Sequence, residues 1–394
     1  MAFHLSHIHD YDRFAAVDIG SSRVRTWVYS IESLEGELLG FSSVRQNRKN
    51  MLAGSIADMR WVALTIERSL IQASQKIDEI PSDVILGFSS SQIISDVVTT
   101  QYIRKSWEPI TMREIDTMVK KIEKSSFDRV RTKAKNIFGI THDDLKLISS
   151  TITSIEIDGK TVTNPIWFTG TKVRLSLLNL FAPASEFNIV RSVAAHIGKN
   201  IISLIPIPLV YPKILEKHDY IDRKSCVIDM GLHHTTVICI EDNQIIALET
   251  FPIGTEMLME WLAREYSDLT LLQIEHMIAN DEYHDARLMW VKGFLEYILD
   301  TFHAYLREDV WDFQFDSLFV HGSIFSGDKI MDVLRSLIID AYSSKVRIMR
   351  FADIVDAPAD EVVPYGLSLI ATELLMVKKD PLVRILRYVL YNYE

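Results

Sequence analysis

The 394-residue chain carries 42 basic and 53 acidic side chains, a formal net charge of −11, which argues against general nucleic-acid binding and leaves room for a local basic patch. Its 48% hydrophobic, 24% charged and 10% aromatic content excludes a disordered chain, and its length exceeds what one core supports, so two or more domains are expected. No apolar run reaches the roughly 18 residues that span a bilayer. The opening residues, with His4, His7 and His9 among acids, lack the basic-then-apolar order of a signal peptide and form no metal-ligand set with cysteines. Cys226 and Cys239, the only cysteines, lie in apolar runs and read as buried thiols of a reducing compartment, so a cytoplasmic protein is expected.

In chain order, residues 14–31 and 37–45 read as strands. The stretch Met59–Ile77 sets Val62, Ile66, Leu70 and Ala73 at helical spacing before Pro81 stops it, and Val84–Phe88 is a short buried strand. Strand, strand, helix, strand is an α/β opening. A different texture runs from about residue 89 to 180. There Ile110–Phe138 reads as a Lys- and Arg-rich helix, Leu145–Ile157 alternates like a strand, Asp158-Gly159 makes a hairpin turn, and "VRLSLLNLFAP" is one more buried strand. This predicts a small α+β insertion in a larger α/β body. A helix over Ser185–His196 leads to "IISLIPIPLV", after which the pattern restarts at "SCVIDMGLHHTTVICIEDNQIIALETF".

That restart is informative, because "AVDIGSSRVRTWVYSI" and "VIDMGLHHTTVICIED" share an apolar-apolar-Asp-apolar-Gly run, a polar turn and a second apolar strand. Two copies of one hairpin predict two similar domains facing a common cleft. At the ends of their strands, Asp18 and Asp229 suit a hydrated divalent cation such as magnesium, which prefers oxygen ligands. Gly20 and Gly231 let the backbone come close, and the amides of Ser21, Ser22, Thr235 and Thr236 are placed to donate to phosphate. One Asp-x-Gly alone is an ordinary hairpin turn; two in matching contexts favour a phosphate ligand.

At these residues the chain resembles the FtsA family of bacterial cell-division proteins within the actin-like ATPase superfamily. "AAVDIGSSRVRTWV" and "CVIDMGLHHTTVICIEDNQIIALETFPIG" resemble its two phosphate loops, "ILGFSSSQIISD" and "IDGKTVTNPIWFTGTKVRLSLLNLFAP" the entry and exit of its inserted subdomain, and "FVHGSIFSGDKIMDVL" its adenosine loop. The type IV pilus protein PilM shares this architecture. The resemblance implies an actin-like (ribonuclease-H-like) two-domain α/β fold with a small α+β inserted subdomain of FtsA type. The first domain would take 1–88, 181–212 and a closing helix 366–379, the insertion 89–180, and the second domain 213–365, with 380–394 as an amphipathic tail. It further implies ATP and magnesium between the hairpins, with Asp18 and Asp229 near the metal and Ser21, Ser22 and Arg23 near the terminal phosphates. Gly322 and Ser323 would lie at the adenosine. As implied partners come the acidic and apolar tail of FtsZ, other copies of the chain through the inserted subdomain, and an anionic membrane, which places the protein on the cytoplasmic face at the division site.

The sequence also departs from that family. Its second loop reads Gly231-Leu232-His233-His234-Thr235 where glycines are usual, so His233 and His234 either donate to phosphate, replace it, or face solvent in a turn. Glu275 and His276 stand where a lysine near the base is usual, and an acid there repels ribose and phosphate. At most a slow ATPase is expected, with a pseudo-ATPase scaffold as the other reading; a PilM-like scaffold and a small-molecule kinase of the same superfamily stay open. The tail "VKKDPLVRILRYVLYNYE" puts Leu382, Ile385, Leu386, Val389 and Leu390 on one helical face with Arg384 and Arg387 alongside, which suits a membrane-surface anchor or a packing element.

Overall fold

The computed structural model describes residues 13–31, 37–77, 79–139, 144–220, 224–242, 244–282, 285–309, 314–341 and 345–376. The chain opens with an antiparallel meander, β1 (Arg13–Ile19), β2 (Arg23–Ser30) and β3 (Glu37–Arg45). A two-stranded ribbon, β4 (Met51–Leu52) with β5 (Ser55–Ile56), leads into α1 (Met59–Ala73). The side chain of Asp58 caps α1 by accepting from the Arg60 and Trp61 amides. Val62, Ala63, Ile66, Leu70 and Ala73 of this helix are buried, each large one contributing about 1.5–3 kcal/mol. The helix ends four residues short of the predicted Ile77, at the Ser74 cap. β6 (Asp83–Phe88) then pairs in parallel with β1.

The insertion follows as β7 (Ile94–Ile103), α2 (Met112–Phe138), β8 (Leu145–Ile157), β9 (Lys160–Thr161) and β10 (Lys172–Pro183). Its four strands form a separate antiparallel sheet in the order β7-β10-β8-β9, with α2 on one face. Gly139, at φ 66, stops α2 in the left-handed conformation that glycine tolerates best. The chain returns through α3 (Ala184–His196) to β11 (Asn200–Pro206), which adds in parallel to β6 and completes the first sheet, β11-β6-β1-β2-β3. α4 (Val210–Lys217) leads out.

The second domain repeats the first. β12 (Lys224–Met230), β13 (Thr235–Glu241) and β14 (Gln244–Phe251) form the meander, and α5 (Thr255–Glu265), α6 (Leu271–Ala279) and α7 (Asp285–Asp309) follow. β15 (Ser317–His321), α8 (Asp328–Ala341) and β16 (Arg347–Arg350) complete a sheet of order β14-β13-β12-β15-β16, with β15 and β16 parallel to β12. α9 (Phe351–Val355) and α10 (Ala359–Met376) return to the first domain, where α10 packs on α4 and β1. Each domain is therefore a three-strand meander extended by two parallel strands, the ribonuclease-H-like plan the duplicated hairpin predicts.

Apolar packing crosses between the domains. One face of the second sheet, with Val227, Ile238, Ile240, Leu248 and Phe319, joins the core of the first domain, while its other face packs on α5, α7 and α8. Tyr211 and Phe319 stack on Phe351 with centroids 4.8 and 5.9 Å away. Among the described residues no helix is long and apolar enough to cross a membrane.

Gly322 ends β15 at φ 131, and a side chain there would strike the carbonyl group of Met230 at the end of β12. Gly322→Ala should therefore lower unfolding free energy by about 2–4 kcal/mol in equilibrium denaturation, a value set by strain plus a backbone clash.

Candidate functional site: the cleft between the two hairpins

Asp18 and Asp229 occupy equivalent places near the ends of β1 and β12, opposite Arg25 and Thr236 on the neighbouring strands. Asp18 Oδ2 accepts from Arg25 Nη1 at 3.2 Å, and Arg25 Nε donates to Asp360 Oδ1 at 2.8 Å. Asp360, at the start of α10, also accepts from the Ser43 hydroxyl at 2.9 Å. Burial pushes the Asp18 carboxyl up to about 6 against the pull of Arg25. The Asp229 carboxyl rises to about 7, chiefly by burial, with the nearby charge of Asp18 adding to the push and Tyr211 and Arg25 opposing it. Asp360 is also pushed up by burial, but Arg25 and Ser43 outweigh that and hold it below its usual value. The Tyr211 hydroxyl lies buried toward Asp229 without a hydrogen bond of good geometry. His321, at the end of β15, is held neutral, its pKa driven down to about 3 by burial and then by the charge of Arg25.

Of the three readings of the second loop's histidines, the one in which they face solvent does not hold. His233 and His234 are both buried. His233 Nε2 lies 3.2 Å from Glu256 Oε2, and His234 Nε2 lies 3.0 Å from Ser89 Oγ of the first domain. Gly54 gives His234 its room: a Cβ there would sit 2.6 Å from His234 Nδ1. Burial, then the neighbouring His233, lowers the His234 pKa to about 4, so the ring that bridges the domains is neutral. Local turn chemistry favours exposed polar residues, but here the opposing domain supplies both a hydroxyl partner and a gap.

Around the predicted phosphate amides, several neighbouring groups are engaged within the protein. The Gly231 amide donates to the His234 carbonyl at 2.9 Å, and the Thr255 and Glu256 amides that open α5 donate to the carbonyls of Gly231 and Leu232. The Thr235 hydroxyl donates to the Ile253 carbonyl at 2.6 Å, and Thr236 pairs with Thr250 at 2.9 Å. In the first loop Ser21 and Ser22 are half-buried, and Arg23 turns to the Ser43 hydroxyl at 3.3 Å. Gly322 and Ser323 lead into a short 3-10 turn that buries Ile324.

Glu275 does not stand as a lone acid. Arg45, at the end of β3, pairs with it across the domain boundary, and Arg48 lies 3.6 Å from it and 3.7 Å from Glu256. The cleft thus has a floor of Asp18, Arg25, Asp360 and Asp229, a plug of His234 on Ser89, and a rim of arginines on glutamates. Sequence reasoning did not single out Arg25, Arg45, Arg48, Ser89, Tyr211, His321 or Asp360. Arg25 alone left a signal: an arginine inside an apolar strand, one step before a residue that must face inward. Leu382, Arg384, Ile385, Leu386, Arg387, Val389 and Leu390 lie outside the described residues.

Around Asp18 and Asp229 the protein ties Arg25, Asp360 and His234 to partners of its own. A separate cavity within the first domain, lined by Ile19, Met51, Gly54, Phe88, Ser89 and Glu186, measures about 10 Å³, room for about one water. A larger space, about 580 Å³, lies on the second domain beside the elements that the resemblance assigns to the adenosine, between Gln273 and His276 of α6 and Arg287 and Lys329. For magnesium, the paired carboxylates are the right donors, yet Arg25 already supplies positive charge to Asp18 and Asp360. Among the described residues no three His, Cys, Asp or Glu side chains are grouped to hold a metal. The buried Gln46 Nε2, Tyr211 Oη, His233 Nδ1 and His234 Nδ1 find no protein partner, so the remaining polar space suits water.

No protein-family model matches the sequence, and no curated protein matches it. Among solved structures the chain is similar to the PilM-PilN type IV pilus biogenesis complex, at 15% identity and a TM-score of 0.66, over 91% of this chain and 98% of that one. It is also similar to the ethanolamine utilization protein EutJ from Carboxydothermus hydrogenoformans (13% identity, TM-score 0.47, 90% and 88% covered). A third is MreB 5 of Spiroplasma citri bound to AMPPNP (9%, 0.46, 91% and 96%). The fold is that of the actin-like ATPases, with mixed α/β sheets in two like domains.

Three outcomes follow. Arg25→Met leaves Asp18 and Asp360 without their cation and should cost roughly 2–4 kcal/mol in denaturant unfolding, below the fully buried case because Asp360 reaches solvent. Asp229 keeps a proton in the folded protein that the unfolded chain releases near 3.8. The stability it contributes is full below about pH 4 and is lost as pH rises through 7. The stability of Asp229→Asn relative to the unaltered protein should therefore climb between pH 4 and 7, which thermal melts across that range will read. His234 has the opposite sign: its stabilising effect is present above 6.5 and lost as pH falls through about 4, so His234→Gln should flatten the acid limb.

Proposed function

We propose that this chain is an actin-like scaffold that organises protein partners and does not turn over ATP. The observation that carries the reading is the cleft itself, where Arg25 serves Asp18 and Asp360 and His234 closes the second loop on Ser89. An ATPase of this fold turns these groups toward phosphates and a cation; here Arg25, Asp18, Asp360 and His234 are partnered within the chain. The interdomain angle is then set by the chain, through His234 and the Arg45 and Arg48 pairs with Glu275 and Glu256, and nucleotide is not required to set it.

For the partner class, the likeness to PilM in its complex with PilN, which runs over nearly the whole of both chains, supports a scaffold of a pilus or secretion assembly by its build alone. An FtsA-type adaptor would share the scaffold and add ATP, magnesium, FtsZ and the 380–394 anchor; the internal partners of Asp18, Asp360 and His234 speak against the first two. Titration with magnesium and ATP should leave the melting midpoint unchanged and release no phosphate above background. A midpoint that rises steadily with the logarithm of ATP concentration means the cleft opens to nucleotide and sinks the reading.

A further inference from the structure

The inserted subdomain has a bound end and a free end. At the bound end the Ser95 hydroxyl donates to the Leu248 carbonyl, and Lys133 Nζ meets Glu249 Oε1 at 2.6 Å, both on β14 of the second domain. The opposite end gathers the last residue of β7, the first of β10, the β8–β9 turn and the loops 104–111 and 162–171. Four large apolar side chains stand out of it: Ile103 is 74% exposed, Trp107 74%, Trp167 80% and Phe168 49%.

These residues are held in display by a rigid base. Arg104 is buried; its guanidinium pairs with Glu114 at 2.6 Å and donates to the carbonyls of Gly170 and Glu108, each at 2.8 Å. The Ile110 amide donates to the Phe168 carbonyl at 2.8 Å, and the Trp167 amide to the Ile110 carbonyl at 3.1 Å. Trp167 itself sits at φ 71, a conformation a bulky residue adopts only where its surroundings impose it. Around the aromatics lie exposed Lys105, Arg113, Lys160 and Lys172, against the acids Glu108 and Asp158. A chain of net charge −11 therefore offers a cationic, aromatic end at the point farthest along the insertion from its attachment.

We propose that this tip docks on an anionic lipid surface, with Trp107, Trp167 and Phe168 seated in the headgroup boundary and the lysines against lipid phosphate. Indole rings favour that boundary because one edge is apolar and the N–H stays wet, and nearby lysines add attraction to anionic lipid. The large side chains stand at a strand end and on loops, which suits insertion into a soft surface. An acidic body repelled by the same lipid would be turned so that this end leads. The proposal is independent of the nucleotide reading and of residues 380–394.

The test uses the full chain with vesicles of phosphatidylcholine alone and of phosphatidylcholine mixed with phosphatidylglycerol. Co-sedimentation should appear with the anionic vesicles only, and Trp107→Ser with Trp167→Ser should weaken it about tenfold while leaving the circular dichroism unchanged. Brominated lipid should quench the unaltered chain, and Trp107→Phe with Trp167→Phe should remove most of that quenching even where binding persists through another segment. Absent sedimentation overturns the proposal, as does unchanged binding and quenching in the variants. It is equally overturned if the same substitutions abolish self-association in sedimentation velocity while vesicles are ignored, which would make the tip an interface between copies.

Discussion

Arg25 is the charge on which the cleft depends. Asp18 and Asp229 are buried near the ends of β1 and β12, the partly exposed Asp360 of α10 shares Arg25 with Asp18, and buried carboxylates persist only when paired or protonated. Arg25 serves Asp18 and Asp360 at once, while Asp229, beyond its direct reach, is raised to about 7 by burial. That balance rests on the register of β1 with β2, which sets Asp18 opposite Arg25, and on the return of α10 to the first domain. A shift of one residue in that hairpin would send the guanidinium to the other face of the sheet.

Around this floor the domains are joined by two kinds of contact. Aromatic and aliphatic packing along Tyr211, Phe351 and Phe319 makes one core continuous across the boundary. Polar contacts then fix how far the hairpins stand apart: neutral His234 on Ser89, and the arginine rim on Glu256 and Glu275. Dispersion and burial supply the strength, and the directional contacts supply the angle.

Much of the fold was legible because it is written in local periods. The alternation of Leu145–Ile157 matches β8, and the repeated apolar-Asp-apolar-Gly run matches the start of two sheets with the same strand order. The site was legible only in its backbone, as two facing turns with Asp18 and Asp229. Its side-chain partners were hidden by distance: Arg25 meets Asp360 across 335 residues, and Arg45 meets Glu275 across 230. No spacing rule reaches that far. Glu275 read as repulsive, and the roles of His233 and His234 stayed open among three, for the same reason: each takes its meaning from the opposing domain. Trp107 and Trp167, in loops without periodicity, carried no signal until the base under them was visible.

The most direct test of a cleft closed by its own side chains is amide hydrogen exchange over residues 15–25 and 226–240, with and without magnesium and ATP. The account predicts slow exchange in the protein alone, because these amides are already tied into the hairpins and the His234 loop, and no further slowing with nucleotide. Fast exchange in the protein alone, slowed by ATP, would show that nucleotide completes the cleft and would contradict the account.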